Sequence, residues 1–152
     1  MIDTYEINKY TLAIIPLSTN TSRVIEEDDI FDVKRSTAEI IDDSCRFFGC
    51  TYEGRREGTK ELIKVNYKAP IIIEESLSII FFPTSSPRYD TCYWISLNNM
   101  ENYVKHSKNK SSIIFKNGKR LDLDISFGSL ENQVMRATML EAVLNRRKRF
   151  EK

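Results

Sequence analysis

Three short apolar runs constrain this chain more than anything else in it: Ile71 to Ile73, Ile79 to Phe82, and Cys92 to Ser96 (CYWIS). Each is too short to be a helix that covers a core. The first two are too continuous to be strands with one wet face. Such runs read as strands covered on both faces, or as strands of a closed, barrel-like sheet. The turn Lys68-Ala69-Pro70 leads into the first, and Pro83 ends the second. Thr84 to Asp90 (TSSPRYD) is a loop carrying Arg88. Trp94 is expected as a core or interface anchor.

Other segments supply further strands. Thr4 to Ile7 alternates and Tyr10 to Leu17 is rich in β-formers, which predicts a hairpin around Asn8-Lys9. Arg23 to Glu26 and Ile30 to Val33 read as strands around the acidic turn Glu26-Glu27-Asp28-Asp29. Leu97 to Lys110 is polar, and a short helix near Asn99 to Val104 followed by a mobile basic loop is expected there. Ile113 to Phe115 and Leu121 to Leu123 flank Lys116-Asn117-Gly118-Lys119-Arg120, and Asn-Gly between apolar runs is a hairpin signal.

The helices are fewer. Ser36-Thr37-Ala38-Glu39 has the form of a capping box. Ile40, Ile41, Cys45, Phe47 and Phe48 follow at spacings that bury one helical side, so a helix over about 36–48 is predicted. Gly49 then separates it from a short second helix around Cys50 to Arg56. Leu130, Val134, Ala137, Leu140 and Leu144 trace the stripe of a long last helix, with Ser129 as its cap. Asn132, Gln133 and Arg136 read as its solvated polar face. Arg146 to Arg149 (RRKR) complement its dipole. The predicted fold is α+β: mostly antiparallel short strands in a sheet or barrel-like sheet, a central helix and a long C-terminal helix.

The chain of 152 residues is long enough for one domain with a core. It has no long uncharged apolar run and no secretory signal, so neither a membrane nor export is expected. Three cysteines without a tight framework fit reduced thiols and a cytoplasmic protein. The net charge of +1 hides an asymmetry. Residues 1–43 hold four basic residues against ten acidic ones, a net of −6; residues 44–152 hold nineteen against twelve, a net of +7. A basic remainder of this kind suits a polyanionic partner. Two places concentrate it. Arg55 and Arg56, between Gly54 and Gly58, read as a basic turn mounted on the first helix. The tip at Lys116 to Arg120 is the second. Solvated surface cations are the plainer reading of both.

Catalytic chemistry is missing. His106 is alone in a polar segment. Cys45, Cys50, Cys92 and His106 lack zinc-knuckle spacing. No phosphate-binding or dinucleotide-binding glycine pattern occurs. Neither an enzyme nor a cofactor nor a metal is expected.

The ordered set DSCRFFG, YEGRREGT, PIII, FFPTSS, CYWIS, FKNGK and SLENQVMRA resembles the ComK family of competence transcription factors. The resemblance runs from about Tyr5 to the end of the last helical stretch. It implies an activator of DNA-uptake genes in Gram-positive bacteria that binds paired AT-rich boxes of double-stranded DNA through the minor groove. It implies dimers that assemble into a tetramer on DNA, in the cytoplasm at the nucleoid. RNA polymerase and a proteolytic adaptor of the MecA type are the further partners it suggests. Better-known members continue beyond the last helix; with this sequence stopping at Lys152, a single domain over residues 1–152 without that tail is expected.

The expected DNA-binding residues are Arg55 or Arg56 inserted in the groove, with Lys60, Lys64, Lys116, Lys119 and Arg120 on phosphates and Asn117 at the tip. A narrow A-tract groove with deepened negative potential favours inserted arginine. A protein-interaction module of the same fold, without specific DNA binding, stands as the alternative.

Overall fold

Side chains alternate between two apolar cores along the central strands, and this fixes the layering of the molecule. The computed structural model describes residues 1–149. Six strands, β1 (Thr11–Pro16), β2 (Ser22–Glu26), β3 (Ile30–Val33), β4 (Ile71–Glu74), β5 (Ile79–Pro83) and β6 (Trp94–Ser96), form one sheet in the order β3-β2-β1-β6-β5-β4. Every named strand pair in it is antiparallel. Ile14, Ile71, Phe81 and Trp94 enter one core. Leu12, Ile72, Phe82 and Ile95 enter the other. The continuous apolar runs are thus strands covered on both faces. The strand order is linear, so the barrel-like alternative does not hold.

Helix α1 (Thr37–Phe47) covers the first face with Ile40, Ile41 and Cys45. It starts where the sequence predicts. Ser36 Oγ accepts the Glu39 N–H at 3.1 Å, and Glu39 accepts the Ser36 N–H at 2.9 Å. It ends in a Schellman motif at Gly49, whose φ is +93°. There the Gly49 N–H reaches the Arg46 carbonyl and the Cys50 N–H the Cys45 carbonyl, both at 3.0 Å. The second face is covered by a three-stranded sheet of β7 (Met100–Ser107), β8 (Lys110–Phe115) and β9 (Arg120–Leu123), together with α3 (Phe127–Lys148).

Four local expectations are corrected. Thr4 to Ile7 is no strand, because β2 and β6 already occupy both edges of β1. Instead Tyr5 and Ile7 insert in the α1-side core, and the Ile7 N–H donates to Ser44 Oγ at 2.9 Å. The expected helix near Asn99 to Val104 is instead a turn at Asn99 and then strand β7 from Met100, with Tyr103 stacked on Phe127 at 5.3 Å. The expected mobile basic loop is a turn at Lys108-Asn109 between β7 and β8. The cap of α3 is Ser126, whose Oγ accepts the Ser129 N–H at 3.1 Å, so that helix starts earlier than Ser129.

The second helix, α2 (Tyr52–Ile63), runs a full turn and more past its predicted end. Tyr52 packs on the α1-side core, while Leu62 and Ile63 pack on the opposite core. Helix α2 therefore crosses the edge of the sheet beside β4 and covers it, as buried sheet edges require. Thr59 Oγ1 donates to the Pro70 carbonyl at 2.6 Å and ties helix to strand entry.

Candidate nucleic-acid interface

Helix α2 and its C-cap carry four of the eight predicted site residues. Its start is built by two contacts. Thr51 Oγ1 accepts the Gly54 N–H at 2.9 Å, and Asp42 of α1 accepts the Tyr52 N–H at 2.9 Å. Gly54 and Gly58 both lie inside the helix, so the expected glycine-flanked basic turn is corrected to a helical surface. Gly54 serves close approach instead. A Cβ there would stand 2.9 Å from Cys50 Sγ.

The arginines of this helix are not equivalent. Arg55 donates from Nη1 to Glu75 at 2.7 Å, and its side chain is only 16% exposed. Its Nε is buried without an acceptor among the described residues. Arg56 pairs with Glu53 one turn earlier and donates to Asn66 Oδ1 at 2.5 Å. Lys60 and Lys64 follow Arg56 at helical spacing of four and are exposed. Neither has an ion pair among the described residues. Lys64 closes the helix in the left-handed region, at φ 61°, with its N–H on the Lys60 carbonyl at 2.9 Å.

The other four residues form the β8–β9 tip. Gly118 takes φ +90° there, which the hairpin needs. The tip does not project freely. Asn117 Nδ2 donates to the Glu27 carbonyl at 3.0 Å, and Lys119 Nζ to the Glu26 carbonyl at 3.1 Å. The acidic β2–β3 turn thus lies against the basic tip, and the fold interleaves the two charge regions at this point. Arg120 donates to Asp122 at 2.9 Å and to His106. The Ser112 hydroxyl and then the Arg120 guanidinium hold the Asp122 carboxyl below the usual carboxylate range. Lys116 is exposed and has no ion pair among the described residues.

The structure does not join these eight residues into one patch. Helix α2 lies beside β4, and the tip rests on the turn between β2 and β3. Four strand spacings separate β2 from β4 across the sheet, roughly 19 Å. Three further cations gather near α2: Lys68, Arg88 and Arg136. Lys68 and Arg88 share a hollow with Arg56, and Arg136 donates to the Tyr67 carbonyl at 3.2 Å. They come from three separate segments, so no local spacing could have revealed them.

Among the described residues no group of three or more His, Cys, Asp or Glu could hold a metal ion. The three cysteines are free, and burial pushes the Cys45 thiol up to about 12. No described helix is long and apolar enough to cross a membrane.

Comparison with known proteins places this arrangement. The family described as ComK protein matches residues 2–149. A protein of Bacillus subtilis (strain 168) named competence transcription factor is 38% identical over 142 residues, which cover 91% of this chain and 74% of that protein. No solved structure matches. A match over nearly all described residues, together with that identity, shows that the chain belongs to the ComK family.

Proposed function

We propose that this chain is a double-stranded DNA-binding activator of competence genes that reads paired AT-rich boxes through the minor groove. The observation that carries the proposal is its similarity, over 91% of its length, to a protein named competence transcription factor. Lys60, Lys64 and Lys116, exposed and without an ion pair among the described residues, support it, because such ammonium groups neutralise phosphates without first breaking a salt bridge. Arg56 is the better groove-reading candidate of the two arginines. It is held by exposed partners at the helix surface, whereas Arg55 is packed under Glu75. Lys119, Arg120 and Asn117 reach DNA only if the contacts to the acidic turn and to Asp122 give way.

Two boxes need two copies of the protein, with the box spacing reporting their geometry. The separation of α2 from the tip supports that reading, since one copy presents cations on two distant edges. Exposed Met135 and Met139, four apart on α3, offer an apolar strip to a second copy. RNA polymerase and an adaptor of the MecA type rest on the family resemblance alone.

The test is fluorescence anisotropy with two labelled duplexes across a salt series. One holds paired A- and T-runs, and the other is a scrambled, G·C-richer control. Strong preference for the first with a steep salt slope is expected. Equal, weak binding to both sinks the specific-regulator reading.

A further inference from the structure

A hollow of about 430 Å³ opens between the start of α1, the start of α2, the Asn66–Ala69 turn and the Ser86–Arg88 loop. Its volume falls in the range of small-molecule sites. Tyr52 contributes an aromatic wall, its ring edge to face with that of the buried Trp94 at 6.2 Å. Ala38, Tyr67 and Pro87 add further apolar surface.

Cations surround this apolar space. Arg56, Lys68 and Arg88 line it, against a single carboxylate, Glu53. Arg56 already neutralises Glu53. Among the described residues the Lys68 ammonium has only the Tyr67 ring, 5.7 Å from its centroid. Arg88 is exposed and has no ion pair among the described residues. The lining therefore carries two uncompensated positive charges.

We propose that this hollow is a binding site for a small organic anion with a flat apolar body, such as an aromatic carboxylate. The ring system lies against Tyr52, beside the buried Trp94, and the carboxylate meets Arg88 and Lys68. A duplex backbone does not fit this chemistry, because it brings charge without a flat apolar group to fill the aromatic end. The inference is independent of the DNA-binding reading.

The chain has a single tryptophan, so its emission reports directly on this site. The full chain is titrated with 2-naphthoate while tryptophan emission is followed, and with 2-naphthalenemethanol as the neutral counterpart. Calorimetry checks the stoichiometry. Saturable one-site binding of the carboxylate is expected, with the neutral compound at least tenfold weaker. Arg88→Glu, on an exposed loop, is expected to weaken naphthoate at least tenfold. Ala38→Phe, on the exposed rim, is expected to block the hollow. If Ala38→Phe does not fold, Arg88→Glu alone decides. Non-saturable quenching, equal binding of the neutral compound, or unchanged affinity in Arg88→Glu overturns the proposal.

Discussion

Gln133 of α3 donates from Nε2 to the Pro83 carbonyl at 2.8 Å, across the edge of the central sheet. The same nitrogen donates to the Lys68 carbonyl at 2.9 Å. Lys68 precedes β4 and Pro83 ends β5, and Gln133 is only 1% exposed. This side chain is a strut between α3, the entry to β4 and the end of β5, not part of a solvated face. Gln133→Leu removes both donors and leaves two carbonyls without them. A loss of roughly 1–3 kcal/mol in chemical denaturation is expected. Asn132→Ala, on the exposed side of the same turn, is expected to stay within about 0.5 kcal/mol.

The Arg55–Glu75 pair joins α2 to the β4–β5 turn with unequal partners, because Glu75 is much the more exposed. A double-mutant cycle is expected to give a coupling below about 1 kcal/mol. Arg55→Ala alone should cost more than Glu75→Ala, since it also removes a packed alkyl stem. Equal costs would show that the pair, not the packing, holds Arg55 in place.

What the sequence revealed divides along physical lines. Ser36 and Gly49 bracket α1 through contacts a few residues long, and such contacts are written locally. The double burial of Ile71 to Ile73 and Ile79 to Phe82 follows from continuity of apolar side chains. Glycine misled at 54 and 58. Two glycines in five residues signal a turn, but capping by Thr51 and Asp42 and the tie from Thr59 keep the helix running through them. Segment 99–104 misled because an edge strand exposed along much of its length, bearing Glu101, Asn102 and Lys105, resembles a polar helix or loop. The candidate site was half legible. Its residue types stood out, but the pairing of Arg55 with Glu75 and the docking of Asn117 on Glu27 join residues 20 and 90 apart in sequence. No spacing rule reaches that far.

Tyr5 gives the fold a pH dependence at the alkaline end. Burial first, and then the hydrogen bond to Glu26, raise its phenol well above the ordinary value. The unfolded chain releases this proton near pH 10, before the folded one does. Stability from Tyr5 is therefore fully present below about pH 10 and is lost as pH rises above it. Tyr5→Phe is expected to lower stability at pH 7 by about 1 kcal/mol, through lost bonds to Glu26 and Thr11. It should also flatten the decline above pH 10. The residual slope belongs partly to Tyr52, whose phenol burial also raises. Parallel curves for the two proteins would rule out this assignment.

Lys64 combines a strained backbone with a candidate phosphate contact, and one substitution separates the two. Its φ of 61° suits glycine better than lysine. Lys64→Gly is expected to change stability by no more than about 1 kcal/mol, in the stabilising direction, because relief of strain outweighs the added chain entropy at a left-handed cap. If Lys64 neutralises a phosphate, the same variant binds DNA less tightly with a shallower salt slope. Higher stability with weaker binding is the expected pair of results in thermal melting and anisotropy. Unchanged binding would remove Lys64 from the interface.

Lys60 and Lys116 test whether the distant edges both face DNA. Each is exposed and has no ion pair among the described residues, so each alanine variant should fold as the parent does. If both touch phosphate, Lys60→Ala and Lys116→Ala each weaken the A/T-run and control duplexes about equally. Each then lowers the salt slope by about one, and the double variant lowers it by about two. Arg56→Ala is expected to behave differently, reducing preference for the A/T-run duplex by on the order of 1–3 kcal/mol. A slope altered by Lys60→Ala but not by Lys116→Ala would confine DNA to the α2 edge. The basic tip would then keep only its contact with the acidic turn, and Lys116, Asn117, Lys119 and Arg120 would leave the interface together.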